Sequence, residues 1–374
     1  MNPPADVVEL LQALVRIPSV NPDGDPGIAN PGEAACAEFV AAFLRAAGAR
    51  AEVEPVFPGR PNVVGVFPGG GAGKKRLFFA PHLDTVGVTG MTVEPFAAEV
   101  REGKLWGRGA SDTKGPMAAM LWALWEMRER IPALGWEIGF AGLMGEEAGQ
   151  HGSKAFAEKH RADFVVIGEP TELGIVYTHK GCTWLYLTTR GRAVHASGPE
   201  RGVNAVDQML DALAVLRAKV LPRFAGMNDP VLGSPTLSIG TIRGGSKINV
   251  VPDVCEASVD LRTLPAQDRP GLMEEIAAEL RAAAPSLEAR WTQSRPLWTD
   301  PAHPLVGALE RAGGKRCGAP WFCDAAVLAA AGIPAVAAGP GSIAQAHTAD
   351  EWIRLEDLRR GVDFYKAFLE QLAV

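Results

Sequence analysis

The chain has 374 residues, of which 47% are hydrophobic and 21% charged, values that are ordinary for globular proteins and exclude a disordered or fibrous one. This length exceeds that at which a single hydrophobic core stops growing, so two domains are expected, and one could be inserted in the other. The formal net charge of −6 offers no basic face for a phosphate backbone, so a small soluble substrate is a better candidate partner than nucleic acid.

The cysteines and the N-terminal residues bear on the cellular compartment. There are five cysteines, and the one close pair, Cys317 and Cys323, is separated by five residues rather than the two of a zinc ribbon or redox pair. We interpret them as buried thiols in a reducing compartment. The N-terminus has no basic segment followed by an apolar signal core, and no stretch has the apolar length that spans a bilayer. The sequence therefore predicts a cytoplasmic protein without a membrane partner.

Helical and strand-like patterns alternate over the first 180 residues. Apolar side chains recur at helical spacing in three segments, 6–16, 33–47 and 114–130. Short apolar runs predict strands at 62–67, 77–81, 136–142 and 163–167. This alternation favours an α/β layer structure with the third helix on one sheet face. The segment GVFPGGGAGKKRLFF lacks the spacing and following helix of a phosphate-binding loop, so we interpret it as a Gly-rich connection, and no nucleotide is implied.

From about residue 180 the order becomes strand, helix, strand, strand, helix, strand. The elements with the clearest pattern in this part are helices at 203–219 and 270–284 and a strand at 287–291. Such an order suggests a small sheet with helices on one face that folds as its own unit. The α/β pattern then resumes, with helices near 303–312 and 355–372. The predicted fold class is α/β, with a larger mixed-sheet domain (1–179 and 291–374) and an inserted smaller α+β sandwich domain (180–290).

Side chains that can bind metal ions occur at five junctions between predicted elements. They are His82 with Asp84 in HLDTV, Asp112 in GRGASDTKG, Glu146 with Glu147 in MGEEAG, Glu169 in IGEPT and His347 in AHTADE. Each alone has an ordinary interpretation, as a satisfied histidine, a helix cap or a solvated carboxylate. Ligand sites in α/β sheets lie outside the carboxyl ends of strands, so the coincidence favours a common site. Two histidines with several carboxylates suit a pair of divalent ions, most naturally zinc, with a bridging carboxylate.

These motifs, together with RGRAVHAS and in this order, resemble the zinc-dependent family of acetylornithine deacetylase, succinyl-diaminopimelate desuccinylase, aminoacylase and carboxypeptidase G. The resemblance covers nearly the whole chain. It implies two divalent ions per subunit, zinc or alternatively cobalt, bridged by Asp112. The implied ligand sets are His82, Asp112 and Glu169 for the first ion, and Asp112, Glu147 and His347 for the second.

The resemblance also implies roles for residues that are not metal ligands. Asp84 would accept a hydrogen bond from His82 and fix its tautomer. Glu146 would be the general base, which takes a proton from the attacking water and returns it to the leaving amine. His195, in the inserted lid and dimerisation domain, would stabilise the oxyanion in the partner subunit of a homodimer. The peptide bond that follows Asp112 would be cis.

Four further positions resemble substrate-binding residues of the family. Arg262 in SVDLRTLP would bind a substrate carboxylate, and Asn249 in GSKINVVP would also face the substrate. Arginine is also common on solvated strand faces, so this interpretation of Arg262 has an alternative. Gly339 and Gly341 resemble the loop that flanks the acyl group.

The predicted function is hydrolysis of the amide bond of an N-acyl amino acid, which releases a carboxylate and a free amino acid. A di- or carboxypeptidase of the same family, acting on a short peptide, is the alternative. A carbamoyl-amino-acid hydrolase is less favoured, because GRGASDTKG departs from the glycine-rich metal motif expected there. A catalytically silent metal-binding sensor or scaffold is an alternative of another class, and the presence of Glu146, which has no ligand role, argues against it.

Overall fold

The computed structural model describes residues 4–23, 32–69 and 74–373, so residues 70–73 of the Gly-rich connection lie outside the described residues. The α-helices within these ranges are α1 (Val7–Val15), α2 (Ala34–Ala46), α3 (Lys114–Met127), α4 (His151–Lys159), α5 (Ala205–Val215), α6 (Leu221–Ala225), α7 (Leu272–Ala283), α8 (Pro304–Arg311), α9 (Ala325–Ala330) and α10 (Leu355–Glu370). The strands are β1 (Arg50–Phe57), β2 (Arg60–Val66), β3 (Arg76–Phe79), β4 (Glu99–Arg101), β5 (Lys104–Trp106), β6 (Glu137–Gly142), β7 (Phe164–Ile167), β8 (Gly174–His179), β9 (Gly181–Arg190), β10 (Thr236–Gly244), β11 (Val254–Thr263), β12 (Glu288–Ser294), β13 (Leu297–Trp298), β14 (Lys315–Ala319), β15 (Ala335–Ala337) and β16 (Trp352–Arg354).

The chain divides into two compact units. The large unit comprises Met1–Tyr177, Thr299–Cys317 and Cys323–Val374, and the small unit comprises Thr178–Trp298 and Gly318–Phe322. The small unit extends beyond the 180–290 expected from the sequence because strand β12 runs on to Ser294 and β13 follows it. The short segment 318–322 was not expected in it.

The main sheet, as far as the described residues show it, has nine strands in the order β1-β2-β6-β3-β7-β15-β8-β13, with β14 paired to β8. Its centre is parallel, because β3 pairs in parallel with both β6 and β7, and β7 pairs in parallel with β15. Antiparallel pairs flank this centre, β2 with β6 on one side and β8 with β15 on the other. The predicted α/β class with a mixed sheet is therefore confirmed.

The central strands are covered on both faces, and their sequences are correspondingly apolar throughout. All four residues of β7 (FVVI) are buried, as is typical of a parallel strand between two layers. Helix α3 packs against α1 and α10, and all of its residues except Trp125 and Glu126 are buried. Phe79 of β3 contacts Tyr365 of α10 edge-on, with ring centroids 5.2 Å apart. The helix that follows Asp112 is thus fixed inside the core of the large unit.

The small unit has its own sheet and its own core. Its four strands are all antiparallel, in the order β10-β11-β9-β12. Burial alternates along β9 and β11, as expected for strands with one face packed and one face open. Helices α5 and α7 pack into this core through Met209, Leu213, Ile276 and Leu280. Among the helices of the described residues, none combines the length and apolar character that crossing a membrane requires.

Candidate metal centre

The carboxyl ends of the parallel strands bring four of the predicted site segments together. His82 follows β3, Glu146 and Glu147 follow β6, and Glu169 follows β7. Gly339 follows β15 in the same way. Because adjacent parallel strands end at the same edge of a sheet, topology alone places these loops side by side.

Asp112 and His347 are held by a second, smaller sheet. Asp112 lies between β5 and α3, and its peptide bond to Thr113 is cis, as the resemblance implied. His347 has a left-handed backbone, with φ of 60°, in the loop that leads to β16. Strand β16 pairs with β5 in the three-stranded sheet β16-β5-β4, so the loop of Asp112 leaves one strand of a pair and the loop of His347 enters the other.

The two carboxylate oxygens of Asp112 face two different histidines. Oδ1 lies 3.2 Å from Nε2 of His82, and Oδ2 lies 3.4 Å from Nε2 of His347. The same nitrogen of His347 lies 3.1 Å from Oε2 of Glu147. His82 and Asp112 are buried, whereas His347 is exposed. A carboxylate between two imidazoles has the arrangement of a ligand that bridges two ions.

Ligand-type atoms lie within 4.8 Å of one another in three groups of the described residues. Two of the groups share Asp112 and are the two ligand sets that the resemblance implied. The third group contains Glu146, which the sequence interpretation left as a base rather than a ligand. The groups are His82 with Asp112 and Glu169, Asp112 with Glu147 and His347, and His82 with Glu146 and Glu147.

Asp84 holds the backbone of the glutamate pair as well as lying beside His82. Nδ1 of His82 is 2.9 Å from the backbone oxygen of Asp84 and 3.5 Å from its Oδ1. The carboxylate accepts hydrogen bonds from the amides of Glu146 and Glu147, each at 3.0 Å, and from Nδ2 of Asn21 at 2.8 Å. The backbone oxygen is thus the closer partner of the imidazole, and the carboxylate fixes the turn that presents both glutamates.

Gly339 and Gly341 allow a close approach of their loop to two ligand-bearing loops. A Cβ at Gly339 would lie 2.7 Å from the backbone oxygen of Glu169 and 2.9 Å from the hydroxyl of Tyr365. Gly341 has φ of 88°, and a Cβ there would lie 2.7 Å from Oγ of Ser111, the neighbour of Asp112. Any side chain at either position would therefore displace a loop that carries a ligand.

His195 and Asn249 lie together in the small unit. His195 is exposed and forms a β-bridge with Val250, while the amide of Ala196 donates to the backbone oxygen of Asn249 at 3.0 Å. The amide of Ser197 donates to Nδ1 of His195 at 3.2 Å. Because a backbone amide can only donate, Nδ1 is the acceptor, and the proton of the neutral ring resides on Nε2.

Arg262 is engaged within its own sheet. Its Nε and Nη2 lie 2.8 Å and 3.1 Å from the two carboxylate oxygens of Asp260, two residues before it on β11. Nε1 of Trp184 on the neighbouring strand donates to the same carboxylate at 3.0 Å. The guanidinium is half-buried and held in one orientation by this pair.

Comparison with known proteins identifies the family. Residues 78–371 match the family model described as Peptidase family M20/M25/M40. The chain belongs to this family. It is 31% identical over 363 residues to an acetylornithine deacetylase of Proteus mirabilis, covering 92% of this chain and 91% of the relative. The family resemblance drawn from the motifs is confirmed, and the chain is a hydrolase of amide bonds.

Solved structures of the same family share the fold. Aminopeptidase PepT from Bacillus cereus superposes with a TM-score of 0.77 at 23% identity, covering 98% of each chain. The YXEP protein from Bacillus subtilis, described as a dinuclear metal-binding peptidase of family M20, gives a TM-score of 0.70 at 15% identity, covering 98% of this chain and 97% of the other. At these identities the likeness shows the fold alone.

In this M20/M25/M40 member, burial sets unusual pKa values for the clustered carboxyl groups. Burial raises the pKa of Glu146 and Glu169 well above the usual value, with further increases from neighbouring carboxylates, and it also raises that of Glu147. Hydrogen bonds from His347 and His82 overcome burial at Asp112 and lower its pKa. Hydrogen bonds to Asp112 and Glu147 raise the pKa of His347 to about 10.

The residues of the centre fit divalent cations. Oε1 of Glu169 is buried and has no hydrogen-bond partner within the residues that the structure describes. Buried carboxylates are costly unless they are paired or coordinate a metal ion, and several of them converge here. Imidazole nitrogens with carboxylate oxygens are a donor set that zinc and related divalent ions accept. A cation bound at this place would give the unpartnered oxygen of Glu169 a ligand role and would compensate for the repulsion between the carboxylates.

These pKa shifts predict how the metal-free protein responds to pH. The raised pKa values of Glu146, Glu147 and Glu169 give stability that is complete below the ordinary glutamate value of 4.5 and is lost as pH rises through the folded values. His347 acts in the same direction between 6.5 and about 10. We therefore expect the Tm of chelator-treated protein to fall as pH rises from about 5 to about 10, the pKa of His347, and added Zn²⁺ to reduce that fall.

Differential scanning fluorimetry with and without Zn²⁺ checks this expectation. Asp112 contributes with the opposite sign, but its pKa is lowered from 3.8, so its contribution is lost only below that value. A Tm that rises over this interval in the metal-free protein, or the same fall with Zn²⁺ present, would contradict the expected result.

Sequence reasoning missed three buried polar residues beside the centre. Asn21 donates to Asp84, as described above, and Glu351 accepts hydrogen bonds from the loop that carries Asp112. Asp324 accepts a hydrogen bond from Oγ of Ser153 at 2.6 Å, and burial raises its pKa to about 7. Glu351 had a signal in the sequence, because it closes the motif AHTADE, whereas Asn21 and Asp324 stand outside the motifs.

Proposed function

We propose that this chain hydrolyses the amide bond of an N-acyl amino acid at a centre of two divalent cations, zinc or alternatively cobalt. The observation that carries the proposal is the position of Asp112, whose two oxygens face His82 and His347 in two groups of ligand-type side chains. A carboxylate placed in this way would contribute one ligand to each of two ions.

Each ion would be held by side chains of the large unit. The first would take His82, Asp112 and Glu169, and the second Asp112, Glu147 and His347. The two groups of ligand-type side chains that share Asp112 support the number of ions. When bound, such cations supply Lewis-acid chemistry, since they polarise a carbonyl group and lower the pKa of water.

Glu146 would carry the proton during hydrolysis. The backbone amide of Glu146 donates to Asp84 at 3.0 Å. The carboxylate of Glu146 lies in a group with His82 and Glu147 but in neither of the two proposed ligand sets. It is therefore left to accept a proton from the attacking water and to deliver it to the nitrogen of the leaving amine. Water and amide carbonyl thus become a carboxylate and a free amine.

The small unit would act as a lid and as the dimerisation domain. Nε2 of His195 bears the proton of the neutral ring, so the side chain can donate a hydrogen bond to an oxyanion. The family resemblance supports its action in the site of a partner subunit in a homodimer. Arg262 would bind the substrate carboxylate next to Asn249, and Gly339 with Gly341 would flank the acyl group.

Deacylation is favoured over peptide cleavage by the curated relatives. Two of them, from Proteus mirabilis and Pectobacterium atrosepticum, are named acetylornithine deacetylase and are 31% and 32% identical to this chain. The peptidases among the solved structures are less than 25% identical and support the fold only. We place the reaction in cytoplasmic amino-acid metabolism.

A substrate screen tests the proposed function. We expect the protein loaded with Zn²⁺ or Co²⁺ to hydrolyse N-acetyl or N-succinyl amino acids at least about tenfold faster, by kcat/KM, than dipeptides of the same amino acids, a difference of roughly 1.4 kcal/mol. Liquid chromatography of the released amino acids measures the rates, and a chelator should remove them. Faster cleavage of dipeptides would establish the peptidase alternative, and metal binding without any hydrolysis would favour the sensor or scaffold.

A further inference from the structure

Glu351 is a fully buried carboxylate that accepts several hydrogen bonds from the loop that carries Asp112. Its Oε2 accepts from Nη1 of Arg108 at 2.8 Å and from the amide of Gly109 at 2.9 Å. Its Oε1 accepts from the amides of Ser111 and Asp112 at 2.8 Å and 2.9 Å. One side chain therefore satisfies four donors from five consecutive residues.

The backbone of this loop depends on Glu351 for most of its hydrogen bonds. Buried amides must find an acceptor, and three amides of the loop 107–112 donate to the side chain of Glu351. The amide of Gly107 donates to its backbone oxygen at 3.0 Å. Of the remaining two amides, that of Arg108 donates to Pro95 and that of Ala110 donates back to Gly107.

The same residue belongs to the segment that carries His347. Glu351 directly precedes β16, whose residue Trp352 pairs with Trp106 of β5, and β5 directly precedes the loop 107–112. Asp112 and His347, two proposed ligands that lie far apart in sequence, are thereby connected by the side chain of Glu351 and by the pairing of β16 with β5. Their facing atoms are 3.4 Å apart.

We propose that Glu351 is a positioning residue, which holds the Asp112 carboxylate opposite His347 and so sets the affinity for the second cation. This inference rests on the proposed function, because it concerns the ion that Asp112, Glu147 and His347 would hold. Both oxygens of Glu351 are engaged by the four donors, so its side chain would not contact that ion. It acts through the amides, as partners behind a metal ligand commonly do, and loss of such a partner typically costs about 10–100-fold in metal affinity.

Glutamine is the most informative substitution at this position, because it changes the hydrogen bonding but not the size of the side chain. In Glu351→Gln, the new amide group would face two donors in either orientation, Arg108 with Gly109 or Ser111 with Asp112, and could accept from neither. The shape of the side chain is kept, so no cavity forms. Glu351→Asp keeps the charge but is one methylene shorter, and it should show a smaller loss; it also provides a measurement if the glutamine variant does not fold.

A matched control exists elsewhere in the large unit. Glu33 is also fully buried and binds Arg60 through both oxygens, Nε at 2.9 Å and Nη2 at 2.7 Å. Glu33→Gln therefore removes a comparable buried pair with arginine without touching an amide of the loop 107–112. A similar decrease in Tm with an unchanged affinity for the second cation is expected for this control.

Two measurements test the inference. Hydrogen exchange of the metal-free protein, followed by mass spectrometry, should show lost protection in a peptide covering 107–113 in Glu351→Gln but not in Glu33→Gln. Titration with Co²⁺, followed by its visible absorption, should show the second binding step weakened by about 10–100-fold in Glu351→Gln. In a double variant with His347→Ala, the two losses should not add, because both act on the same ion.

The outcomes separate this inference from the proposed function. If the wild-type protein binds two Co²⁺ ions and folded Glu351→Gln binds both with unchanged affinity, the positioning role is wrong and the proposed function stands. Equal weakening in Glu33→Gln would likewise overturn it, because the effect would follow general stability. A wild-type protein that binds no divalent cation would overturn the proposed function and this inference with it.

Discussion

Replacing Glu146 with glutamine is expected to remove nearly all turnover while both metal ions stay bound. The substitution keeps the shape and the backbone bond to Asp84 but removes the group that moves the proton. General acid–base catalysis is worth typically about 10²–10⁴-fold, so kcat should fall by that factor with little change in KM. Metal content measured by plasma mass spectrometry, together with kcat on the best N-acyl substrate, checks the result.

The neighbouring residue supplies the matched control. Glu147 lies on the same turn and its amide is held by the same carboxylate of Asp84, but it faces His347 at 3.1 Å. Glu147→Gln should therefore weaken one ion, and its activity should recover partly when excess metal is added. Wild-type turnover in metal-replete Glu146→Gln, or unchanged metal binding in Glu147→Gln, would contradict the two assignments.

The metal-type side chains could be found from the sequence because each belongs to a local pattern. HLDTV, MGEEAG and IGEPT each follow an apolar run that is short enough for a buried strand, and parallel pairing then brings their ends together. Strands that are distant in sequence are neighbours in the sheet, so the residues that follow them lie close together at the carboxyl edge of the sheet. This strand order explains why His82, Glu147 and Glu169 all lie in the groups around Asp112.

The residues that support the centre could not be found in the same way. Asn21 and Glu351 bind their partners over separations of 63 and about 240 residues, and each does so with a single side chain. No periodicity marks such a contact, and although Glu351 closes the motif AHTADE, the motif does not reveal which atoms the side chain binds. The strands β4, β5 and β16 have three residues each, which is too short for an alternating pattern, although their ladder holds Asp112 and His347 in place.

Carboxylates that accept hydrogen bonds from backbone amides recur around this centre. Asp84 holds the amides of Glu146 and Glu147, and Glu351 holds those of Ser111 and Asp112. In both cases a buried acid accepts hydrogen bonds from backbone amides and fixes the turn that presents the reactive carboxylates, and Glu351 is in addition paired with the guanidinium of Arg108. The acids around the centre thus fall into two kinds, those that fix the backbone of loops and those whose carboxylates lie in the proposed cation site.

His195 is expected to act on the metal centre of a partner subunit. The proposed metal ligands all belong to the large unit, whereas His195 belongs to the small unit, and the family resemblance implies a symmetric dimer. Loss of one oxyanion donor typically lowers kcat by about 10²–10³-fold, so His195→Ala alone should be nearly inactive. Metal content and Tm should stay unchanged, because within the part of the chain that the structure describes the hydrogen bonds of the exposed ring go to Oγ and the amide of Ser197.

Complementation between two inactive variants decides whether the histidine acts in its own subunit or in the partner. In a hybrid of Glu146→Gln with His195→Ala, one site would contain an intact Glu146 and receive an intact His195 from the other chain. Random exchange at equal amounts makes half of the dimers hybrid, each with one working site of two, so about a quarter of wild-type activity should return. Mixing His195→Ala with a Glu146→Gln/His195→Ala double variant should restore nothing, since no chain then supplies the histidine. If subunit exchange is verified by mass spectrometry of differently tagged chains and activity stays absent, or if the active protein is a monomer, His195 does not act in the partner's site.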